Sequence, residues 1–435
     1  PSISGNLAKE KKGSVVAFAG DFDGDGYGDY VVGSPNANKG AGKVEVISGK
    51  TGDVLFTMAG SSAKEGLGAA VAGNAHINGD SFADVVVGAP FADDVNHGLK
   101  RVGMVSVIFG CSGTNCATHS EQYGTETKAM FGAAIALGDF NHDSQIDIAV
   151  GIPKARNAQE SKILKQAGEV KILSGNDLNA VPLLDVFGKT ANAHAGTAIA
   201  MGAWDANAGD ELMVGAPHDD DTDTGLKDTG SVRVYSLSGG VTEDFFEYGR
   251  AAKDYFGAAI ATGADIDTDG LDDWIVGMPG TDVVVSGVNK KNAGSVRIFL
   301  GSTTSFHAEL DPLLGTDTNG GLGSSLALGD VNNDGFADII AGASKAANPT
   351  AVPKTIAATG SVRIYSMNSG SLQLLTDPLY GLRKGDLFGA SVSVGDIDGD
   401  GRDDVMIGVP GEDVLTTKMQ KDAGAVDVIS GASLL

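Results

Sequence analysis

The chain has 435 residues, 56 of them Asp or Glu and 31 Lys or Arg, for a formal charge of −25; 64 are glycine and only 12 proline. So acidic a chain is repelled by nucleic acid and by anionic membrane surfaces, which leaves cations as its natural partners. With 42% hydrophobic residues it can bury a core, yet no run reaches the roughly 18 apolar residues that a membrane-spanning helix needs. Glycine at this level without a Gly-x-y period or abundant proline excludes collagen and flexible linkers, and implies many tight turns. The first residue is Pro1, with no leader visible, which reads as a mature or trimmed chain that has further domains in its full-length form.

Taken from the N-terminus, the chain repeats. Gly-x-Pro-like ends fall at Pro35, Pro90, Pro153, Pro217, Pro279, Ser344 and Pro410, spaced by 55, 63, 64, 62, 65 and 66 residues. Seven units follow, opening near Gly13, Gly68, Gly132, Gly196, Gly257, Gly323 and Gly389, and in each a second glycine precedes the first by eight residues, from Gly5 to Gly381. Within a unit, an apolar run such as Ala133 to Leu137 leads into an Asp-rich turn, and a second run such as Asp147 to Val150 ends at Gly-x-Pro. A third strand follows a loop, as at Gly168 to Leu173, Gly230 to Tyr235, Gly294 to Phe299 and Gly360 to Tyr365; a weaker fourth is seen at Val54 to Met58, Leu183 to Phe187 and Leu372 to Leu375. Four short strands per unit, seven times over, predict an all-β chain folded as a single seven-bladed β-propeller over residues 1–435, because no blade buries its own faces alone. The last unit stops after its third strand, at Val426 to Ile429, and Ser2 to Ser4 in the segment 1–5 is expected to complete it and close the ring.

Five of the turns read Asp-apolar-Asp/Asn-x-Asp-x-x-x-Asp. They are Asp21, Asp23, Asp25 and Asp29; Asp139, Asn141, Asp143 and Asp147; Asp265, Asp267, Asp269 and Asp273; Asp330, Asn332, Asp334 and Asp338; and Asp396, Asp398, Asp400 and Asp404. At this spacing positions one, three and five point inward, position seven offers its backbone carbonyl and position nine returns a carboxylate, an all-oxygen cage for a hard cation. Because position seven contributes only backbone, its side chains vary freely, from Tyr27 and Gln145 to Leu271, Phe336 and Arg402. Oxygen-only ligation favours Ca²⁺, about five ions in blades one, three, five, six and seven. The structural alternative is that Asp and Gly simply make good turns. Blade two offers His76, Asn78, Asp80 and Asp84, and blade four Ala203, Asp205, Asn207 and Glu211, so no ordinary site is expected there.

The Phe-Gly openings at Phe131, Phe256 and Phe388, the Asp-rich turns and the Gly-Ala-Pro ends at Gly88-Ala89-Pro90 and Gly215-Ala216-Pro217 resemble the FG-GAP repeats of the integrin α-subunit β-propeller. The resemblance covers essentially the whole chain. It implies Ca²⁺ in the hairpins between first and second strands, and an upper, ligand-binding face made by the loops between second and third strands. No inserted domain interrupts blades two and three, and no Asn-x-Ser/Thr sequon with a permitted middle residue occurs, which fits a prokaryotic surface protein better than an animal integrin.

Those second-to-third-strand loops carry 14 of the 31 Lys and Arg against 12 acids, so they are electrostatically distinct from the rest of the chain. Lys100, Arg101, Lys154, Arg156, Lys290 and Lys291 are candidates for contact with a protein or glycan ligand. The acidic run from His218 to Asp223 reads either as a solvated charge run or as a further cation site. Cys111 and Cys116 enclose a turn short enough for a disulfide, consistent with an extracellular, cell-surface or periplasmic location. Neither a Gly-x-Ser-x-Gly nor a His-Glu-x-x-His motif is present. The leading expectation is a Ca²⁺-stabilised extracellular adhesion or recognition module that is not an enzyme; the alternatives are a secreted propeller hydrolase or lyase acting on polysaccharide or phospholipid, and a structural spacer in a larger surface protein.

Overall fold

A computed structural model describes residues 2–112, 119–159, 162–175, 177–205, 209–237, 240–302, 308–351, 355–368 and 371–434. Seven antiparallel sheets follow one another along the chain, which makes it a seven-bladed β-propeller, as the repeat predicts. Blade one consists of Val15–Gly20, Asp29–Gly33, Lys43–Ile47 and Val54–Ala59; blade two of Ala70–Ala75, Asp84–Ala89, Met104–Ile108 and His119–Tyr123. Blade three holds Ala134–Gly138, Asp147–Ile152, Glu169–Leu173 and Leu184–Phe187, and blade four Ala198–Gly202, Glu211–Ala216, Ser231–Leu237 and Val241–Tyr248. Blade five is Ala259–Ala264, Asp273–Met278, Ser295–Phe299 and Glu309–Leu314. Blade six is Ser325–Gly329, Asp338–Ala343, Ser361–Asn368 and Ser371–Leu374, with Leu379–Tyr380 also pairing on its third strand. Blade seven is Ser391–Gly395, Asp404–Val409 and Ala425–Ile429, and Ser2–Ser4 is its fourth strand, in register Ser2 to Asp427 and Ser4 to Ala425. The expected joining of the two chain ends in one sheet is therefore present.

Burial explains the strand patterns. Second strands such as Asp84–Ala89 and Asp147–Ile152 are buried at every position, so they read as continuous apolar runs, whereas the fourth strand Val54–Ala59 is largely exposed and reads weakly. The chain gathers into two compact units, one holding blades one to four and the other blades five to seven. In the first, the core lies between successive sheets: Val170, Ile172 and Leu184 of blade three pack with Ile199, Leu212 and Val214 of blade four. In the second, Ile275, Val296 and Ile298 of blade five pack in the same way with Ile339 and Ala341 of blade six.

The paired glycines are the joints of this packing. The first of each pair ends a fourth strand against the start of the third: a Cβ on Gly188 would lie 2.0 Å from the Ala167 carbonyl oxygen. The second opens the next blade, and its carbonyl faces the glycine of the previous Gly-x-Pro: a Cβ on Gly151 would lie 2.2 Å from the oxygen of Gly196, which itself has φ +82°. Side chains at either point would force the sheets apart, so the eight-residue spacing records how close they sit.

The loops after the Gly-x-Pro ends are not plain loops: several fold back as small hairpins, with Val283–Val285 pairing Val288–Lys290 and Val414–Leu415 pairing Met419–Gln420. Single bridges join Asp94 to Leu99, Asn157 to Leu164, Asp221 to Leu226 and Asn348 to Ile356.

Candidate metal centres

Each Asp-rich turn joins the first and second strands of its blade. The apolar residue at position two anchors it: Phe22, Phe140, Ile266, Val331 and Ile397 are all buried, which turns positions one and three out of the core together. The turn is then held by its own carboxylates. Asp21 accepts the amides of Gly24, Asp25 and Gly26 at 2.7–3.0 Å, and Asp396 accepts those of Gly399, Asp400 and Gly401 at 2.7–3.2 Å. Position five accepts the amide of position seven in all five turns: Tyr27, Gln145, Leu271, Phe336 and Arg402 donate to Asp25, Asp143, Asp269, Asp334 and Asp400 at 2.9–3.0 Å.

Position nine is buried and does a second task. Asp29 accepts the Phe22 amide at 2.9 Å and the Gly49 amide at 3.2 Å; Asp273 accepts Ile266 and Gly301 at 2.6 and 2.7 Å; Asp404 accepts Ile397 and Gly431, both at 3.0 Å. It thereby ties the turn to the end of the third strand. Sequence spacing places this carboxylate in the cage but gives no sign of the distant glycine amide.

Three turns gather three carboxylates with ligand oxygens within 4.8 Å of one another: Asp21, Asp23 and Asp29; Asp265, Asp267 and Asp269; and Asp396, Asp398 and Asp404. Like charges at this range repel by roughly 3–4 kcal/mol per pair at an effective dielectric of about 20. Burial pushes the carboxyls of Asp29 and Asp273 up to about 7 and those of Asp147 and Asp338 to about 6. Asp23 and Asp267 are raised by burial and then by the adjacent Asp25 and Asp269. In blades three and six an Asn stands at position three, and its amide nitrogen meets Asp143 at 3.1 Å and Asp334 at 3.0 Å. Among the described residues the other side of each site is undersupplied: Asn332 Oδ1 and both oxygens of Asp147 are buried without a close hydrogen-bond partner. A bound cation would meet all of these deficits at once, and a donor set of oxygen alone would suit Ca²⁺.

Blades two and four depart from the pattern. In blade two Asp84 keeps the structural task, accepting Ile77, Asn78 and Gly110 at 2.7–3.2 Å, but position one is His76, whose Nδ1 lies 2.9 Å from the Phe82 carbonyl. Blade four has Ala203 at position one and Trp204 at position two, with the Trp204 ring edge-on to Trp274 at 5.9 Å; its Asn207 lies outside the described residues.

A family model of the FG-GAP repeat matches residues 77–108, 322–365 and 388–429, each taking in a second and a third strand of one blade. Integrin alpha-V of Gallus gallus is 37% identical over 170 residues, covering 38% of this chain and 15% of that protein. The chain carries FG-GAP repeats and is similar in sequence to integrin α chains. Integrin alpha-5 of Xenopus laevis is 31% identical over 147 residues, 33% of the chain and 14% of that protein, and Xenopus integrin alpha-4 is 30% identical over 228 residues, 50% and 20%. The matched stretches thus cover a fifth or less of the length of these relatives. No helix among the described residues of this FG-GAP propeller is long and apolar enough to cross a membrane.

At the opposite end of each FG-GAP blade, the basic candidates divide. Lys100 pairs with Asp93 at 2.9 Å, Arg101 lies over the Phe91 ring at 5.2 Å, and Arg156 Nε meets Glu126 at 2.7 Å. Arg101, Lys154 and Arg156 line one cleft; Lys290 belongs to the small hairpin of blade five, and Lys291 directly follows it. Lys128 and Lys165 share that cleft and were missed, Lys128 because it comes from the connection between blades rather than from a second-to-third-strand loop. The acidic run is absorbed by its own hairpin. Asp219 accepts the hydroxyls of Ser231 and Thr190, Asp220 pairs with Lys227 at 2.5 Å, and Asp221 accepts the Asp223 and Thr224 amides. The amide of Cys111 donates to the Phe22 carbonyl at 3.0 Å, while Cys116 lies outside the described residues.

Proposed function

We propose that the chain is a calcium-stabilised recognition module that works outside the cell, in adhesion or a related binding role, with the metal turns supporting the fold and the loops at the other end of the blades receiving a partner. The observation that carries this reading is the clustering of three carboxylates within 4.8 Å in blades one, five and seven, a costly arrangement for a solvated turn and an ordinary one for a Ca²⁺ cage. Asp21, Asp23, Asp25 and Asp29, with the Tyr27 carbonyl, would hold the first ion. The corresponding sets from Asp139, Asp265, Asp330 and Asp396 onward would hold four more, with Asn141 and Asn332 contributing their amide oxygens. Likeness to integrin alpha chains favours binding over the hydrolase or lyase alternative. A Cys111–Cys116 disulfide and millimolar extracellular Ca²⁺ belong to the same reading.

Chelation tests it. A ligand that binds only the folded state stabilises it by about 2.7 kcal/mol per site at a hundred times its Kd. Five sites are expected to lower Tm by on the order of 10 °C or more when EGTA is added, with Ca²⁺ restoring it; an unchanged Tm would sink the metal reading.

A further inference from the structure

The cations at the loop ends are concentrated rather than spread. A cleft of about 850 Å³ between the loops of blades two and three is lined by Arg101, Lys128, Lys154, Arg156 and Lys165, with Glu126 its one acidic lining residue. Glu126 is taken by Arg156. The side chains of the other four form no ion pair with a described carboxylate, whereas Lys100, next to Arg101 in the same loop, is matched by Asp93 and Lys227 in the blade-four loop by Asp220. In a chain of charge −25, four exposed and unmatched cations facing one concavity form a local field of the opposite sign, which concentrates anions.

The lining also bears on the anion's form. All its residues lie in turns and loops, so it offers no free strand edge to an extended peptide. Between the cations stand Thr125, Thr127 and Gln166, neutral side chains that hydrogen-bond hydroxyls, and Phe91 adds an aromatic face. Three of the four unmatched cations are lysines, which act as point charges and suit anionic groups spaced along a ligand better than a single planar one.

Resting on the recognition role proposed above, we infer that this cleft binds an acidic oligosaccharide, its carboxylate or sulfate groups met by Arg101, Lys128, Lys154 and Lys165 and its hydroxyls by Thr125, Thr127 and Gln166. The metal turns take no part in it.

The test uses the intact chain in Ca²⁺ with four probes in titration calorimetry: a sulfated hexasaccharide, a uronate hexasaccharide, a neutral hexasaccharide and a poly-Glu peptide. Wild type is expected to bind a charged sugar at least tenfold more tightly than the neutral sugar or the peptide, and to lose tenfold or more between 0.1 and 0.5 M NaCl. Lys128→Glu with Lys165→Glu is expected to weaken binding at least tenfold, and Lys290→Glu less than twofold, both keeping the wild-type Tm in Ca²⁺. The milder Lys154→Ala, expected to cost several-fold, covers a folding defect in the double variant. Undiminished binding in the double variant and in Lys154→Ala, preference for the peptide, or no binding of either charged sugar overturns the inference. A protein partner captured equally by wild type and the double variant also overturns it, and leaves the recognition role standing.

Discussion

Blades one and two carry the same nine-residue turn in the same compact unit, and only one of them gathers a carboxylate cluster. Both bury the apolar residue at position two, Phe22 and Ile77. Both use position nine to accept the amide of position two and that of a glycine at the end of the third strand, Gly49 for Asp29 and Gly110 for Asp84. They differ at positions one and three, Asp21 and Asp23 against His76 and Asn78. The turn's shape is thus specified by hydrogen bonds and burial common to both blades, and the charge concentration is an addition to it. Asp at position nine serves the fold in both blades, while Asp21 and Asp23 supply the charge concentration of blade one.

The largest expected effect strikes both turns. Asp29→Ala and Asp84→Ala each strand buried amides, at about 1–3 kcal/mol for each one left unpaired. In EGTA the two variants are expected to lose comparable stability by denaturant titration. In Ca²⁺ only Asp29→Ala should lose a further increment, and an equal loss in both conditions would deny blade one a metal.

A smaller effect comes from pH. Burial raises Asp29 and Asp273 to about 7, and Asp147 and Asp338 to about 6, well above a solvated carboxyl. A raised folded-state value means that the folded chain holds these protons more tightly than the unfolded one. Their contribution is present in full near pH 4 and is lost as pH rises through 6 to 7. The metal-free protein should therefore melt at a higher temperature at pH 5.5 than at pH 7.5, and the stabilisation by Ca²⁺ should grow over the same interval. A metal-free Tm that instead rises with pH would contradict this.

The smallest effect separates one Asp-rich turn from the others. Blade three has Ser144 at the left-handed position, φ +66°, where the other four Asp-rich turns have glycine. Ser144→Gly is expected to stabilise by up to about 1 kcal/mol in calorimetry, because the turn already holds that conformation at a cost. A destabilised variant would show that the serine side chain matters more than its backbone.

Much of the fold was legible. Repeated glycines, fully buried second strands and Asp-rich turns each leave a local signature, and Ser2–Ser4 could be placed in blade seven because Gly5 stands where every fourth strand ends. The small hairpins were not legible: pairings as short as Val414–Leu415 with Met419–Gln420 carry no periodicity, and the acidic run is explained only once Asp219 is seen to meet Ser231 and Thr190. The basic cleft was half legible. Lys154, Arg156 and Lys165 share a loop, but Lys128 joins them from a different connection, and spacing along a chain does not report such meetings.

Counting bound calcium in three proteins tests the central claim most directly. Equilibrium dialysis followed by elemental analysis is expected to find about five ions per wild-type chain. Asp21→His should bind one fewer. His76→Asp should bind one more, because it gives blade two the ligand set of Asp330, Asn332, Asp334 and Asp338. No calcium in the wild type, or the same count in all three, would contradict the assignment of these turns as metal centres.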